Sequence, residues 1–423
     1  MAEPTKFVTE DGKLKKNPSW VAWKAGQADA PPPAARSVVP LGQEPQITVV
    51  STVSDMVECD VAMTEDTRSA VEFLQGQDFL SRYYGRATGP SDVLSRLEAL
   101  FAQYEVPVGM LTRLLSMAFK ETLGQVSLDD SGSMDTVMTR GGSKGKTRWA
   151  VAMDRLRFLT RVFSILRLEL RVRGLNNPAV VTVDQAGKSI DAVIQEWDEL
   201  VTSIEMGGAG GLTASRAALV SILAEQERSG RHTSIYVIFA GRPSDAIPAE
   251  LGAMMLSRPD PAKTPITMIA CTDVDADVEW VGAIEEQATA QGRLSFLAAM
   301  DDYETEAAEV LRDQGAFFSG LYTMGLYFIC MLFAAQDPYG LDALDDDYPL
   351  TWGMLDGLLG RVTTEAEWQC YIDGYFSNPK RVDADGKSTL ADLERKYGAL
   401  RAKLKTKTQA SADLPEVQLL LAS

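Results

Sequence analysis

The sequence predicts an α/β fold with a doubly wound, mostly parallel sheet of six strands. Between Gly124 and about Tyr303, short runs typical of strands alternate with amphipathic segments, which is the pattern of βαβ crossovers. Apolar residues recur at three- and four-residue steps from Trp149 to Leu166, as expected of a helix that packs one face on a sheet. The predicted strands span residues 126–129, 168–173, 180–183, 235–240, 266–270 and 294–299. Further helices are predicted near residues 190–204, 215–227 and 278–288.

The rest of the chain divides into segments of different composition. Residues 1–60 are polar and interrupted by proline, which predicts a mostly disordered arm. Residues 61–118 have apolar positions at helical spacing and predict a small helical segment. The α/β domain is expected over residues 119–303. Residues 304–423 predict a helical C-terminal extension, with helices near 305–312, 352–375 and 390–405.

Composition argues against several classes of function. The chain has 41 basic and 59 acidic residues, and its net charge of −18 repels phosphate backbones, so no nucleic-acid partner is expected. His232 is the single histidine and the four cysteines lie far apart. This argues against a zinc site and against histidine-dependent nucleophilic catalysis. We therefore expect a protein that is not an enzyme.

The cellular location is also predicted from composition. The N-terminus lacks the apolar core of a signal peptide and cysteine is sparse, so we expect a cytoplasmic protein with reduced thiols. Residues 316–335 carry no charge and are long enough to cross a bilayer. However, polar residues dilute this run and neither flank is basic. A buried helix is therefore favoured over a membrane span.

A polar loop after the first predicted strand has the composition of a cation site. Asp129, Ser131 and Ser133 are spaced two residues apart, and an intervening glycine permits a tight turn that brings their oxygen atoms together. Such hard oxygen ligands suit Mg²⁺, Mn²⁺ or Ca²⁺. Later in the chain, a glycine-rich turn at residues 207–211 presents Thr213 ahead of a predicted helix. In a doubly wound sheet, loops of this kind meet at the carboxyl ends of the strands, where ligands bind.

Residues 126–134, Val-Ser-Leu-Asp-Asp-Ser-Gly-Ser-Met, resemble the first loop of the metal-ion-dependent adhesion site in von Willebrand factor type A domains. The resemblance covers roughly residues 124–303. It implies that Ser131, Ser133 and Thr213 ligate a divalent cation directly and that Asp129 orients them, usually through water. It also implies that an Asp or Glu of a protein partner fills the remaining coordination position.

The third loop departs from the pattern of that family, which has an aspartate before a glycine at the end of the fourth strand. Here the fourth predicted strand runs into Ala240 and Gly241, so one negative charge is missing. The loss either weakens cation binding or leaves the bound ion more electrophilic toward an acidic ligand. Asp245 either folds back as a substitute or caps the next helix, and its chemistry favours the cap. Asp130 is expected to face solvent.

The favoured function is a divalent-cation-dependent protein–protein interaction module, and two alternatives remain open. The first is a structural scaffold of the same fold, in which the ion site is degenerate and the polar loops serve only as turns and caps. The second is a nucleotide-binding enzyme that uses the loop from Gly141 to Thr147. That run is one residue short of a phosphate-binding loop and does not emerge directly from a strand, so this alternative is the weaker one.

Overall fold

A computed structural model describes residues 90–377, apart from residues 121, 141–142, 291–295, 316, 319–320, 337–340, 342–343, 345–349, 351 and 360–361. The predicted arm at 1–60, the helical spacing within 61–89 and the predicted helix at 390–405 lie outside the described residues. The domain boundaries given above stay predictions.

One parallel sheet forms the centre of the protein. Among the described residues it has five strands, which are β1 (Leu123–Leu128), β2 (Leu170–Gly174), β3 (Thr233–Phe239), β4 (Ile266–Ala270) and β5 (Leu297–Met300). Their order across the sheet is β2-β1-β3-β4-β5, and every neighbouring pair is parallel. Val126 of β1 is in register with Val172 of β2 and Tyr236 of β3. The prediction of an α/β fold with a largely parallel sheet is confirmed.

Helices precede, connect and follow the strands. In chain order they are α1 (Pro90–Tyr104), α2 (Leu111–Phe119), α3 (Arg148–Ile165), α4 (Ile190–Gly207), α5 (Ser215–Ser229), α6 (Pro248–Leu256), α7 (Asp275–Ala290), α8 (Tyr303–Gln314), α9 (Met324–Phe333), α10 (Trp352–Leu359) and α11 (Glu365–Ser377). The predictions of α3, α4, α5, α7 and α8 are confirmed. Sequence periodicity does not predict α6, because this helix has only nine residues. So few turns do not reveal a repeating apolar face.

Helices cover both faces of the sheet because side chains alternate along its strands. On β3, Tyr236 and Ile238 belong to a hydrophobic core that also contains residues of α3, α4 and α9. Ile235, Val237 and Phe239 point the other way, into a second core with residues of α5, α6 and α7. This arrangement leaves the two ends of the strands uncovered by the helix layers.

The prediction of a sixth strand at residues 180–183 is wrong. Val181 makes a single antiparallel bridge to Val172 at the outer edge of β2, with N–O distances of 2.9 and 2.8 Å. The ladder stops there because a side chain takes the next carbonyl: Thr182 Oγ1 donates to Leu170 O at 2.8 Å. Gln185 Nε2 donates to Leu168 O in the same manner at 2.6 Å.

The uncharged run at residues 316–335 contains α9, which is enclosed by the protein. Residues 325–333 are all buried, and the ring of Phe328 stacks on Phe158 of α3 with centroids 4.6 Å apart. The prediction of a buried helix is confirmed. In the part of the chain that the structure describes, no helix has both the length and the apolar character needed to span a membrane.

Candidate metal centre

The predicted site lies where the winding of the sheet reverses. The chain passes outward from β1 to β2 and then crosses back over β1 to enter β3 on its other side. Loops diverge at such a point and leave a crevice at the carboxyl ends of the strands, where ligands bind in open α/β sheets. Asp129 directly follows β1, and Ala240 directly follows β3. Both residues therefore border this crevice.

Ser131 contacts both of the other hydroxyl groups singled out by the sequence. Ser131 Oγ is 2.9 Å from Ser133 Oγ, and Thr213 Oγ1 donates to Ser131 Oγ at 3.2 Å. Ser131 is buried, whereas Ser133 and Thr213 are half-buried. Two loops that are 82 residues apart in sequence thus meet at one point. Ser131, Ser133 and Thr213 are together named the hydroxyl cluster.

Asp129 adjoins the hydroxyl cluster and is fully buried. Its Oδ1 accepts from the N–H of Ser131 at 2.9 Å, and its Oδ2 accepts from the N–H of Ala240 at 3.4 Å. Burial raises the pKa of the Asp129 carboxyl, although hydrogen bonds from Ser131 and Ala240 oppose the rise. A cation bound beside this carboxylate would offset the cost of burying its charge.

Asp130 and Asn176 connect the loop that carries Thr213, here the second loop, to the loop that follows β1, here the first loop. Asp130 Oδ1 accepts from the backbone N–H and the side-chain amide of Asn176, at 2.8 and 3.0 Å. The same amide donates to Leu212 O at 2.9 Å and accepts from Leu212 N at 3.1 Å. Gly211 has a φ of 101°, and a side chain there would collide with Asn176. Asp130 is partly exposed, and through Asn176 its carboxylate also fixes the residue before Thr213.

Arg148 contacts the third loop at the position where the family pattern has an acid. Ala240 is buried and its methyl group belongs to the core beneath the sheet. The guanidinium of Arg148, the first residue of α3, donates to Ala240 O at 3.0 Å and to Asp277 Oδ2 at 2.9 Å. Position 240 therefore adds no charge to the site, and its backbone is held by a buried arginine.

Asp245 caps a helix and does not substitute for the missing acid. Its carboxylate oxygens accept from Arg216 N at 3.0 Å and Ala217 N at 2.9 Å, in the first turn of α5. The prediction of a cap is confirmed, but the prediction that the next helix receives it is wrong, because α5 precedes Asp245 in the chain. The neighbouring Ser244 N donates to Thr213 O at 2.8 Å, which fastens the third loop to the second.

The spacing of the hydroxyl oxygens fits a small divalent cation. Neighbouring ligands of an octahedral Mg²⁺ lie about 2.9 Å apart, since each lies about 2.1 Å from the ion, and around Ca²⁺ the separation is about 3.4 Å. The contacts of 2.9 and 3.2 Å within the hydroxyl cluster are hydrogen-bond distances that a small rearrangement would convert to either ligand spacing. Over the described residues, no group of three or more His, Cys, Asp or Glu forms a competing metal site.

The loop that resembles a phosphate-binding run is engaged by contacts within the protein. Gly141 and Gly142 lie outside the described residues. Lys146 Nζ pairs with Asp154 Oδ2 at 3.1 Å. Thr147 Oγ1 accepts from Ala150 N at 3.1 Å and so caps the N-terminus of α3. The described part of the run therefore forms a turn that leads into a helix.

Comparisons of the chain with protein-family models and with curated protein sequences found no match. The resemblance to von Willebrand factor type A domains therefore stays a hypothesis, carried by residues 126–134 and by Thr213.

Proposed function

We propose that this chain is a divalent-cation-dependent protein–protein interaction module of the von Willebrand factor type A kind. Ser131, Ser133 and Thr213 hold Mg²⁺ or Mn²⁺, and Asp129 orients the loop that carries the two serines. The observation that carries the proposal is the convergence of hydroxyl oxygens from two separate loops: Ser131 Oγ lies 2.9 Å from Ser133 Oγ and 3.2 Å from Thr213 Oγ1. Their place at the reversal point of the sheet supports a ligand site over a chance contact.

The ligand that suits this site is a carboxylate. Three neutral hydroxyls and one buried carboxylate leave much of the charge of a divalent cation uncompensated, and such an ion attracts an anionic oxygen to its open positions. Alanine at position 240 removes one more protein charge. An Asp or Glu of a partner protein supplies it, whereas the net charge of −18 disfavours phosphate-rich partners.

Binding, and not catalysis, is the role that these residues support. A general base must reach the proton that it abstracts. The Asp129 carboxylate is buried and accepts backbone N–H groups through both oxygens. Lys146 and Thr147 are held in the ion pair with Asp154 and in the helix cap. Asp129 therefore suits support of the ion-binding loop, and Lys146 and Thr147 suit support of the fold.

Calorimetric titration of the metal-stripped protein with Mg²⁺, and then with Mn²⁺, tests the proposal. We expect saturable binding to the wild type and its loss in Ser131→Ala, because Ser131 contacts both other hydroxyls of the cluster. Ser143→Ala is the matched control, because Ser143 lies in the turn before α3 and outside the cluster, and it is expected to bind like the wild type. Equal binding by the wild type and Ser131→Ala would contradict the proposal.

A further inference from the structure

Arg242 lies in the third loop, between two residues that are tied to the candidate site. On one side, Ala240 N donates to the Asp129 carboxylate at 3.4 Å. On the other side, Ser244 N donates to Thr213 O at 2.8 Å. The backbone of Arg242 is therefore two residues from the site in either direction, and two residues span at most about 7 Å.

The guanidinium of Arg242 is exposed and has no counterion in the part of the chain that the structure describes. Its side chain makes neither a hydrogen bond nor an ion pair there. Asp245, three residues later, uses both carboxylate oxygens to cap α5. Arg148, which also contacts the third loop, is buried and pairs with Asp277. In a chain of net charge −18, Arg242 is thus an uncompensated positive charge beside the site.

Leu212 is an exposed apolar residue directly before Thr213, with 70% of its surface in solvent. Exposed leucines are common on protein surfaces, but the backbone of this one is fixed. The side-chain amide of Asn176 donates to Leu212 O at 2.9 Å and accepts from Leu212 N at 3.1 Å. A side chain on a fixed backbone loses little further freedom when a partner covers it, which favours binding. Leu212 therefore suits an apolar contact beside the hydroxyl cluster.

The charges around the site match a ligand with two carboxylates better than a ligand with one. The hydroxyl cluster is neutral, and Ala240 stands where the family pattern has an acid. A divalent ion is neutralised by Asp129 and one ligand carboxylate together. The positive charge of Arg242 then remains, and a second ligand carboxylate neutralises it.

We propose that this module recognises a protein segment with two acidic side chains and a neighbouring apolar one. The first carboxylate completes the coordination of the ion, the second pairs with the Arg242 guanidinium, and the apolar side chain packs on Leu212. The inference rests on the proposed function, because the ion binds the first carboxylate. Arg242 determines specificity, since its planar guanidinium binds a carboxylate through two parallel hydrogen bonds.

Fluorescence anisotropy of labelled peptides, titrated with the full chain in Mg²⁺, tests this inference. The diacid probes are Leu-Asp-Gly-Asp-Leu and the same peptide with two or three glycines between the aspartates. The single-acid probes replace one or the other aspartate with asparagine. We expect the best diacid probe to bind about fivefold more tightly than its single-acid counterparts, the effect of one further exposed ion pair.

Substitutions in the chain assign this preference to the two residues. Arg242→Gln should remove most of the advantage of the diacid probe. Arg228→Gln is the matched control, an exposed arginine at the far end of α5, and should keep the advantage. Leu212→Ser should weaken the binding of all probes about threefold through lost apolar burial. Val220→Ser should not, since Val220 is also exposed but lies within α5.

Calorimetric titration of the same samples with Mg²⁺ separates this inference from the proposed function. If Mg²⁺ binds but diacid and single-acid probes bind alike, or no probe binds, recognition of two acids is overturned and the ion site stands. The same holds if the diacid preference survives in Arg242→Gln or is equally strong in EDTA. If Mg²⁺ does not bind to the full chain, the inference and the proposed function are both overturned.

Discussion

The residue at position 240 sets how much negative charge surrounds the proposed ion. Ala240 is buried, its N–H contacts the Asp129 carboxylate, and its carbonyl accepts from Arg148. A carboxylate at this position would add charge beside the ion, but without the ion that charge would be buried and repelled by Asp129. Ion affinity and the stability of the metal-free protein should therefore change in opposite directions.

Ala240→Asp is expected to bind Mg²⁺ about tenfold more tightly than the wild type and to lose about 2 kcal/mol of unfolding free energy in EDTA. Calorimetry measures the first quantity and urea denaturation the second. Ala240→Asn is the control, because it has the same shape without the charge, and it should lose stability with no gain in affinity. Unchanged Mg²⁺ affinity in Ala240→Asp would place position 240 away from the ion.

Asn176 positions the hydroxyl cluster without belonging to it. Its amide bridges Asp130 and the backbone of Leu212, next to Thr213. Asn176→Ala is expected to weaken Mg²⁺ binding by about tenfold, the effect typical of residues that orient metal ligands. Asn177→Ala is the matched control, since Asn177 is also exposed and its side chain accepts from the nearby Ala179 N at 3.3 Å. Equal affinities of the two variants would exclude the positioning role.

At the scale of residues, the sequence predicts the hydroxyl cluster but not the residues that hold its loops in place. The two serines have a spacing that itself indicates convergence, and Thr213 follows a turn that exposes it. Asn176 is 46 residues from Asp130 in sequence and reaches it only because β2 pairs with β1. The cap that Asp245 provides to α5 likewise reaches backward over 29 residues. Such contacts depend on the packing of strands and leave no local pattern.

At the scale of elements, β-rich runs and amphipathic spacing predict most strands and helices of the sheet region. The prediction of a strand at residues 180–183 is wrong because the choice between a strand and a single bridge depends on competition for carbonyl groups. Thr182 donates its hydroxyl to Leu170 O where a backbone N–H would otherwise extend the ladder. Neither the hydrophobic periodicity nor the amino-acid composition of the segment indicates that competition.

The packing of α9 against α1 depends on Gly325. A Cβ at this position would overlap the backbone carbonyl of Tyr104, which cannot move aside as a flexible side chain could. Gly325→Ala is expected to lower the unfolding free energy by about 2 kcal/mol in urea denaturation. Gly374→Ala in α11 is the control, because open space surrounds its Cβ position and alanine favours helix, so a gain of about 0.5 kcal/mol is expected. Similar effects of both substitutions would contradict the close approach of α9 and α1.

At the scale of the whole molecule, the alternation of strands and helices predicts a parallel sheet but not what its flanking helices pack against. Val93 of α1, Leu355 of α10 and Trp368 of α11 share one hydrophobic core with Val126 of β1. An amphipathic pattern predicts that one face of a helix packs against other residues, but it does not indicate which element packs there. The meeting of the loop after β1 with the loop that carries Thr213 likewise follows from strand order and could be expected only in part.

The most direct test of the account is a crystal structure of the protein soaked in Mn²⁺, with an anomalous difference map calculated at the manganese absorption edge. The account predicts a peak about 2.2 Å from each of Ser131 Oγ, Ser133 Oγ and Thr213 Oγ1. It also predicts that crystals of Ser131→Ala lack this peak. A well-ordered hydroxyl cluster with no anomalous peak, or a peak bound by other residues, would contradict a cation site at this end of the sheet.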